Sequence, residues 1–402
     1  MGEGSWLRGR TAIVGIGHTS FGRRGEFAAR GPLQLVIEAV TRACDDAGLK
    51  PSQLDGYTSY SNDVTDGGAL AGVFGAERLR FTAMGWGGGG GAMGGAYLYA
   101  AMAVATGQAN YVAVTRGIVQ APDNRFGAGF ARAEAAEEAA GKLPSYGIQS
   151  PGQAFALAAR RHMYRFGTTI DHFGEVAINA RVMAAKNPYA RFRSPITMED
   201  HHGSRMLADP LRLLDYCMET DSGTCVIVTT AERARHLRQP PVSLAGVAMG
   251  APRRWGGGHF NGVLGTGNQM SDDDFASAGQ RTVAEDLYAN AGLGPSEVDV
   301  ALIYDHFTPM VLMGLEDFGL VGKGDSGPFV ADGHIGPGGS IPVNTHGGNL
   351  AEAYTHGMTH VIEGVRQLRG FSPNQVPGAE VALVVAGSSP APTSALLLQK
   401  ER

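Results

Sequence analysis

A layered α/β fold of two duplicated halves, with a loop domain inserted between them, is what the sequence predicts, and three observations carry that prediction. The first is an internal repeat: "DDAGLKPSQLDGYTSY" at 45–60 matches "ANAGLGPSEVDVALIY" at 289–304 nearly position by position. The second is that the flanking segments repeat in the same order. "TAIVGIGHTSFG" from Thr11 answers "VSLAGVAMGAP" from Val242, a glycine-led helix at 87–107 answers one opening at Gly347, and "YVAVTRG" from Tyr111 answers "VALVVAG" from Val381. The third is a longer stretch, 120–219, with no counterpart in the second half.

Taken in order, each half runs strand, helix, strand, glycine turn, helix, strand. In both, an amphipathic helix stops at Ala-Gly-Leu, Pro-Ser restarts the chain, and an apolar strand follows. This alternation predicts a mostly parallel sheet with helices on both faces. The first half takes 1–119 and 220–239, the inserted loop domain 120–219, and the second half 240–402. The insert carries the helical runs "GQAFALAARRHMYRFG" and "FGEVAINARVMAAK", and is expected to rest on the first half. The alternative is two unrelated doubly wound domains, since α/β units share local features without duplication.

Composition excludes several function classes. The chain has 402 residues, 18% of them charged, and a net charge of −5, so no basic field draws it to nucleic acid or to an anionic membrane surface. No stretch reaches the ~20 apolar residues of a spanning helix, and the N-terminus has no signal-peptide core. Three cysteines, Cys44, Cys217 and Cys225, fit reduced, buried structural thiols and a cytoplasmic protein rather than a disulfide framework.

Sixty glycines cluster rather than spread, which points to tight turns and close backbone approaches. "WGGGGGAMGG" at 86–95 satisfies a dinucleotide-loop pattern only as any glycine run would, lacks the acidic ribose partner, and has no Lys-Ser/Thr pair for a nucleotide phosphate. Two readings remain: a glycine turn whose N–H groups face an oxyanion, or close helix packing.

The second chemical stretch is "NTHGGNLAEAYTHG" at 344–357. With "FRSPITMEDHHGSRMLADPLRLLDYCMETDSG" at 192–223, "AGLGPSEVDVALIYDHFTPM" and the duplicated halves, it resembles the thiolase superfamily in its sterol-carrier-protein-x-like branch. The resemblance covers nearly the whole chain and implies a thiolase fold, five-layered αβαβα. It also places thiolase chemistry residue by residue. The nucleophilic cysteine falls at Gly91, the Gly-His of the late loop at Ala353 and Tyr354, the Asn or His of the third motif at Tyr304, and the late cysteine in "VVAGSSP", which has none. Claisen chemistry needs a thiolate to hold the acyl group, and glycine supplies none.

Tyrosines at 304 and 354 suit a reaction with an acid and a base but no covalent intermediate. That reaction is retro-aldol cleavage of a β-hydroxyacyl-CoA. The pattern is similar to the lipid-transfer-protein-type steroid aldolases, with Tyr-Asp-His-Phe and Thr-His-Gly-Gly…Tyr at these positions. The likeness implies a steroid CoA ester with a tertiary hydroxyl, a ring ketone and a short acyl-CoA as products, a homodimeric core, and an OB-fold and zinc-ribbon partner completing a heterotetramer. Coenzyme A arrives with the substrate, and no bound cofactor or metal is expected.

Backbone N–H groups near Gly91 and Gly387 are expected to hold the enolate oxygen. His346, His306 and His356 are expected to tune the phenols or to satisfy loop carbonyls, and Asp305 to pair with backbone or His306. Arg191 and Arg193 are candidates for coenzyme A phosphates. A non-catalytic acyl-CoA or sterol carrier and an ordinary thiolase are the competing readings.

Overall fold

A computed structural model describes residues 7–61, 63–87, 89–120, 147–148, 150–252, 276–387 and 392–401. The start of the insert and the end of "VVAGSSP" lie outside the described residues. Nine strands carry the sheet: β1 (Thr11–His18), β2 (Gly56–Tyr60), β3 (Phe81–Gly85), β4 (Tyr111–Ile118), β5 (Thr220–Thr230), β6 (Val242–Gly250), β7 (Val300–Ile303), β8 (Val381–Val385) and β9 (Thr393–Lys400). Their order is β7-β8-β9-β6-β1-β5-β4-β2-β3, and the two-residue strand Gly22–Arg23 adds to β5.

The duplication is visible in this order. Outward from the centre the first half reads β1-β5-β4-β2-β3 and the second β6-β9-β8-β7, where Val343 bridges Ala301 in place of the fifth strand. The halves join where Ala12 faces Ser243 and Ile13 faces Val242. The same cap recurs in both. Asp55 accepts from the backbone N–H groups of Asn110 and Tyr111 at 2.8 and 2.9 Å, and Asp299 from those of Glu380 and Val381 at 2.8 and 2.9 Å. Within the repeat, Tyr60 and Tyr304 are equivalent.

The sheet is mixed, which corrects the expectation of a mostly parallel one. β2 runs parallel to β3 and β4, and β7 parallel to β8, but β5 and β9 run antiparallel to their neighbours. The sequence pattern omits these two strands. β9 returns directly from β8 without a crossover helix, so it must lie antiparallel.

Seven helices matter for the site: α1 (Gly31–Ala47), α2 (Met93–Ala105), α3 (Pro151–Phe166), α4 (Ile170–Ala185), α5 (Arg281–Ala291), α6 (Thr308–Asp317) and α7 (Met358–Arg369). α1 buries Leu35, Val36, Ala39, Val40 and Ala43 on one face against β1, β4 and β5. α5 covers β6 and β9 likewise. α2, rich in Ala and Gly and apolar nearly all round, lies between the halves with α7, and both contact strands of each half. Alternation along the strands serves both sides: Val112 and Val114 point to this central layer and Ala113 to α1, as Ala382 and Val384 point inward and Leu383 and Val385 outward. The result is the thiolase fold, with α1 and α5 outside, two half-sheets, and α2 with α7 in the middle.

The insert rests on the second half, not the first as expected. α4 packs its Phe173, Val176, Ala180 and Ala184 in one cluster with α6 and with Leu350 and Ala351 of the one-turn helix Gly348–Ala351. α1 closes the outer face of the first half, whereas α6 and the one-turn helix of the second half offer α4 an apolar surface, with Val311, Leu315 and Leu350 in the same cluster. The helix expected to open at Gly347 is also broken. It makes one turn over Gly348–Ala351 and resumes at Met358, because His356 (φ 53°) and Gly357 (φ 91°) take left-handed backbone. That break leaves Tyr354 in a loop.

Candidate active site

The site forms at the C-terminal ends of β2, β3 and β7, where loops of an α/β sheet gather. Tyr304 follows β7 directly, its N–H donating to the carbonyl of Val385 at 3.1 Å. Tyr354 is clamped from the other half: its N–H donates to Thr220 Oγ1 at 3.0 Å, and that hydroxyl donates to the Tyr354 carbonyl at 2.8 Å. The two rings meet edge to face, 6.2 Å between centroids. Both are buried, and the Tyr304 hydroxyl is left without a hydrogen-bond partner inside the protein.

Burial pushes both phenols above their ordinary value, so both stay protonated at neutral pH. Their surroundings differ. Around Tyr304, the neighbouring Tyr354, Cys217 and Tyr60 all add to the rise. At Tyr354, Cys217 and Glu219 add to it, while the Tyr304 hydroxyl and the Arg116 guanidinium oppose it. Of the two, Tyr354 is the better placed to carry negative charge.

A ring fills the space beside Gly90, one residue before the nucleophile position at Gly91. A Cβ on Gly90 would stand 2.3 Å from Cε2 of Tyr304 and 2.8 Å from its hydroxyl oxygen. Gly91 and Gly387 do come together, since a Cβ on Gly387 would lie 3.0 Å from the Gly91 nitrogen. Ser394 fixes this stretch by donating to the Gly91 carbonyl at 2.6 Å and accepting from the Gly94 N–H at 2.8 Å.

Of the candidate histidines, two reach the phenols. The His306 ring lies 5.1 Å from Tyr304, and the His356 ring 5.0 Å from Tyr354 at 89°. His346 stands one ring further back, 4.8 Å from His360, which in turn stacks on Tyr304 at 6.1 Å. Asp305 pairs with backbone and His360 rather than His306. Its carboxylate accepts from the N–H groups of Asn349 and Leu350 at 2.8 and 3.2 Å and lies 3.3 Å from His360 Nε2, so it caps the one-turn helix. Gly348 is required there, as a Cβ would fall 2.1 Å from Asp305 Oδ2. Arg193 is exposed, 3.5 Å from the Ala185 carbonyl, and Arg191 is half-buried with its N–H on the Glu352 carbonyl.

Cys44 and Cys225 are buried away from the tyrosines, against α1 and β5. Cys217 is half-buried beside them, with its N–H on the His306 carbonyl at 3.0 Å. Burial raises its thiol proton affinity, so it presents a thiol and not a thiolate.

Sequence reasoning missed several residues of this shell. Tyr60 donates from its hydroxyl to the His356 carbonyl at 2.8 Å, Arg116 donates from Nε to His356 Nδ1 at 3.2 Å, and the buried carboxamide of Asn349 has no partner. Glu352, pushed up to about 8 by burial, lies 3.8 Å from His346 and accepts from Asn187. A signal existed for two of them: Arg116 is a charge inside an apolar strand, and Tyr60 is the repeat partner of Tyr304.

The buried histidines make stability pH-dependent. Burial holds His18 and His306 down to about 4, and His346 and His356 well below 6.5. Between pH 6.5 and 4 the unfolded chain therefore binds protons that the folded chain refuses, and stability falls as pH falls, by about 3 kcal/mol for each histidine dropping ~2.5 pH units. Glu175, Glu352, Glu363 and Asp317, all raised, act with the opposite sign above the ordinary carboxylate range, but the lowered histidines, with His172 a fifth, outnumber them. Denaturant titrations at a series of pH values are expected to show the steepest loss in that window. A flat profile there would contradict the buried neutral imidazoles.

Among the described residues no helix is long and apolar enough to cross a membrane. Comparison with known proteins adds relatives. The family described as Thiolase C-terminal domain-like matches residues 264–398. The chain is 42% identical over 398 residues to the 17-hydroxy-3-oxo-4-pregnene-20-carboxyl-CoA lyase of Mycobacterium tuberculosis, covering 98% of this chain and all of that protein. It is 41% identical over 404 residues to the steroid side-chain-cleaving aldolase of Thermomonospora curvata, covering 99% and 100%. The solved structure of an Ltp2-ChsH2(DUF35) aldolase superposes with a TM-score of 0.89 at 40% identity, covering 99% of this chain and 100% of that one.

Proposed function

The chain belongs to the steroid side-chain-cleaving aldolases of the thiolase superfamily, and from that premise we propose that it cleaves a steroid side-chain CoA ester bearing a tertiary β-hydroxyl by a retro-aldol reaction. It is a carbon–carbon lyase. For a 17-hydroxy-pregnene-20-carboxyl-CoA ester, the substrate named for the M. tuberculosis relative, the products are a 17-keto steroid such as androstenedione and propionyl-CoA.

The observation that carries the mechanism is the pair of buried phenols meeting edge to face beside the glycine loop in which the resemblance puts the thiolase nucleophile. The tertiary hydroxyl gives its proton to the Tyr354 oxygen as the bond between the α- and β-carbons breaks and the β-carbon becomes the ketone. Tyr354 passes its own proton to Tyr304, and Tyr304 protonates the α-carbon. Protons balance, and both phenols end as they began, which suits groups held protonated by burial. Tyr354 takes the base role because Arg116 and Tyr304 favour charge on its oxygen. The thioester oxygen, negative in the enolate, is assigned to the N–H groups at Gly91 and Gly387, and the coenzyme A phosphates to Arg191 and Arg193. A thiolase mechanism lacks its thiolate, and the carrier reading leaves the paired phenols without a task.

The test is purified protein, alone and with its partner, given the tertiary-hydroxyl CoA ester while ketone and propionyl-CoA are measured. Equal release of both supports the reading; tight binding with no release under either condition sinks it. The name of the solved Ltp2-ChsH2(DUF35) structure pairs that aldolase with a second protein, and we carry a partner of the OB-fold and zinc-ribbon type to this chain.

The homodimeric core is assigned to the free edge of β3. Among the described residues that strand is paired on one side only, by β2, and Met84 on it and Trp86 just after it are exposed. Met84→Lys with Trp86→Glu is expected to convert a dimer to a monomer in sedimentation equilibrium, and an unchanged mass would move the interface elsewhere.

A further inference from the structure

Arg116 is a charged residue in the middle of the sequence "YVAVTRGI" of β4, and the structure buries it to 7% exposure. Burying a guanidinium is costly unless every donor is used. Here Nη1 donates to the Tyr60 carbonyl at 2.8 Å, Asp63 lies 3.6 Å away as counter-ion, and Nε donates to His356 Nδ1 at 3.2 Å. An Nδ1 that accepts from arginine fixes the neutral tautomer with its proton on Nε2. The imidazole is held twice more, by the Tyr60 hydroxyl on its carbonyl and by a left-handed backbone (φ 53°) that few side chains adopt. It presents edge-on to the Tyr354 ring at 5.0 Å.

We propose that Arg116, acting through His356, is a positioning residue for Tyr354, an inference resting on the retro-aldol reading of the same site: it holds the imidazole edge-on to that ring and sets a buried positive charge near the phenol oxygen as it becomes negative. The groups facing Tyr354 from the surrounding elements divide by sign. Glu219 and Cys217, before β5, disfavour charge on the phenol; Arg116 on β4 and the hydroxyl of Tyr304 after β7 favour it, and Tyr60 at the end of β2 is a neutral phenol beside them. Arg116 is thus the cation that offsets, at Tyr354, the effect of Glu219, whose own ion pair is with Arg24 at 3.6 Å, and Asp63 keeps Arg116 in place. Its repeat position in the second half, Ala386 just after β8, is apolar, so the charge belongs to the site and not to the strand.

Arg116→Gln is expected to lower kcat by about tenfold to a hundredfold with KM changed less than about twofold, the loss that follows when a nearby opposite charge worth 1–2 pH units is removed. His356→Asn, which tolerates the left-handed backbone and leaves Arg116 with Asp63 and Tyr60, is expected to show the same split to a smaller extent. The decisive readout replaces Tyr354 by 3-fluorotyrosine, a more acidic phenol, in each variant. Recovery of kcat by several-fold, with no gain when the same analogue is placed in the wild type, supports the proposal. A wild-type kcat in both variants, or a loss that the acidic phenol leaves untouched, overturns it. Wild-type protein that releases no ketone would instead overturn the reaction itself, a separate result.

Discussion

Tyr354→Phe abolishes ketone release while the protein stays folded: kcat is expected to fall by about a hundredfold to ten-thousandfold, the range for removing a positioned acid–base group. The fold survives because what fixes this residue is its backbone, held on both sides by Thr220, and its hydroxyl is not what anchors the loop. Substrate affinity should change little, because the phenol acts on the proton and not on the steroid or nucleotide. Tyr304→Phe is expected to fall in the same range, and the double variant no further than the worse single, since the two act as one relay. Initial rates of ketone formation with the tertiary-hydroxyl CoA ester measure this, and a Tyr354→Phe enzyme with more than a tenth of wild-type kcat would end the assignment.

Gly90→Ala is the second large effect, and it arises without touching either tyrosine. The new methyl would stand 2.3 Å from Tyr304 Cε2 and 2.6 Å from Cζ, too close for any side chain to coexist. The ring is hemmed in: His360 stacks on it, His306 lies beside it, and Gly357 backs it. It must therefore swing toward Tyr354 or push the glycine loop away from Gly387. Either displaces the hydroxyl by about an ångström, enough to cost about a hundredfold in rate, with about 1–3 kcal/mol of stability lost to overpacking. Because the harm passes through Tyr304, Gly90→Ala combined with Tyr304→Phe is expected to be no slower than Tyr304→Phe alone. An active Gly90→Ala enzyme would show that the ring has another place to stand. The same geometry bars any side chain at Gly90, a cysteine included, because the phenol ring already occupies that volume.

How far the sequence announces this site depends on the kind of signal. The duplication is legible because it repeats in order over long distance, and Asp55 with Asp299 shows that even the strand caps were copied. The helices of the insert are legible from their 3.6-residue period. What periodicity cannot report is which surface such a helix meets, so the seat of α4 on the second half stays hidden until the packing is seen. β9 escapes because no crossover helix precedes it, and β5 because the insert parts it from the pattern of the first half. Tyr304 and Tyr354 are reached through resemblance to a family, whereas Arg116, Thr220 and Tyr60 meet them across the two halves. Contacts of that kind leave no local trace in a chain, and the buried charge in β4 is the nearest thing to one.

The seam between the halves carries a final consequence. The phenols and Gly387 come from the later part of the chain, while the clamp at Thr220, the guanidinium of Arg116 and Gly90 against the Tyr304 ring come from the earlier part. On the proposed assignment neither moiety holds the whole site, so a nascent chain completes it only when synthesis has passed β8 and the two moieties have closed on each other. Assembly and competence are thereby a single event, and a truncated product is inert by construction.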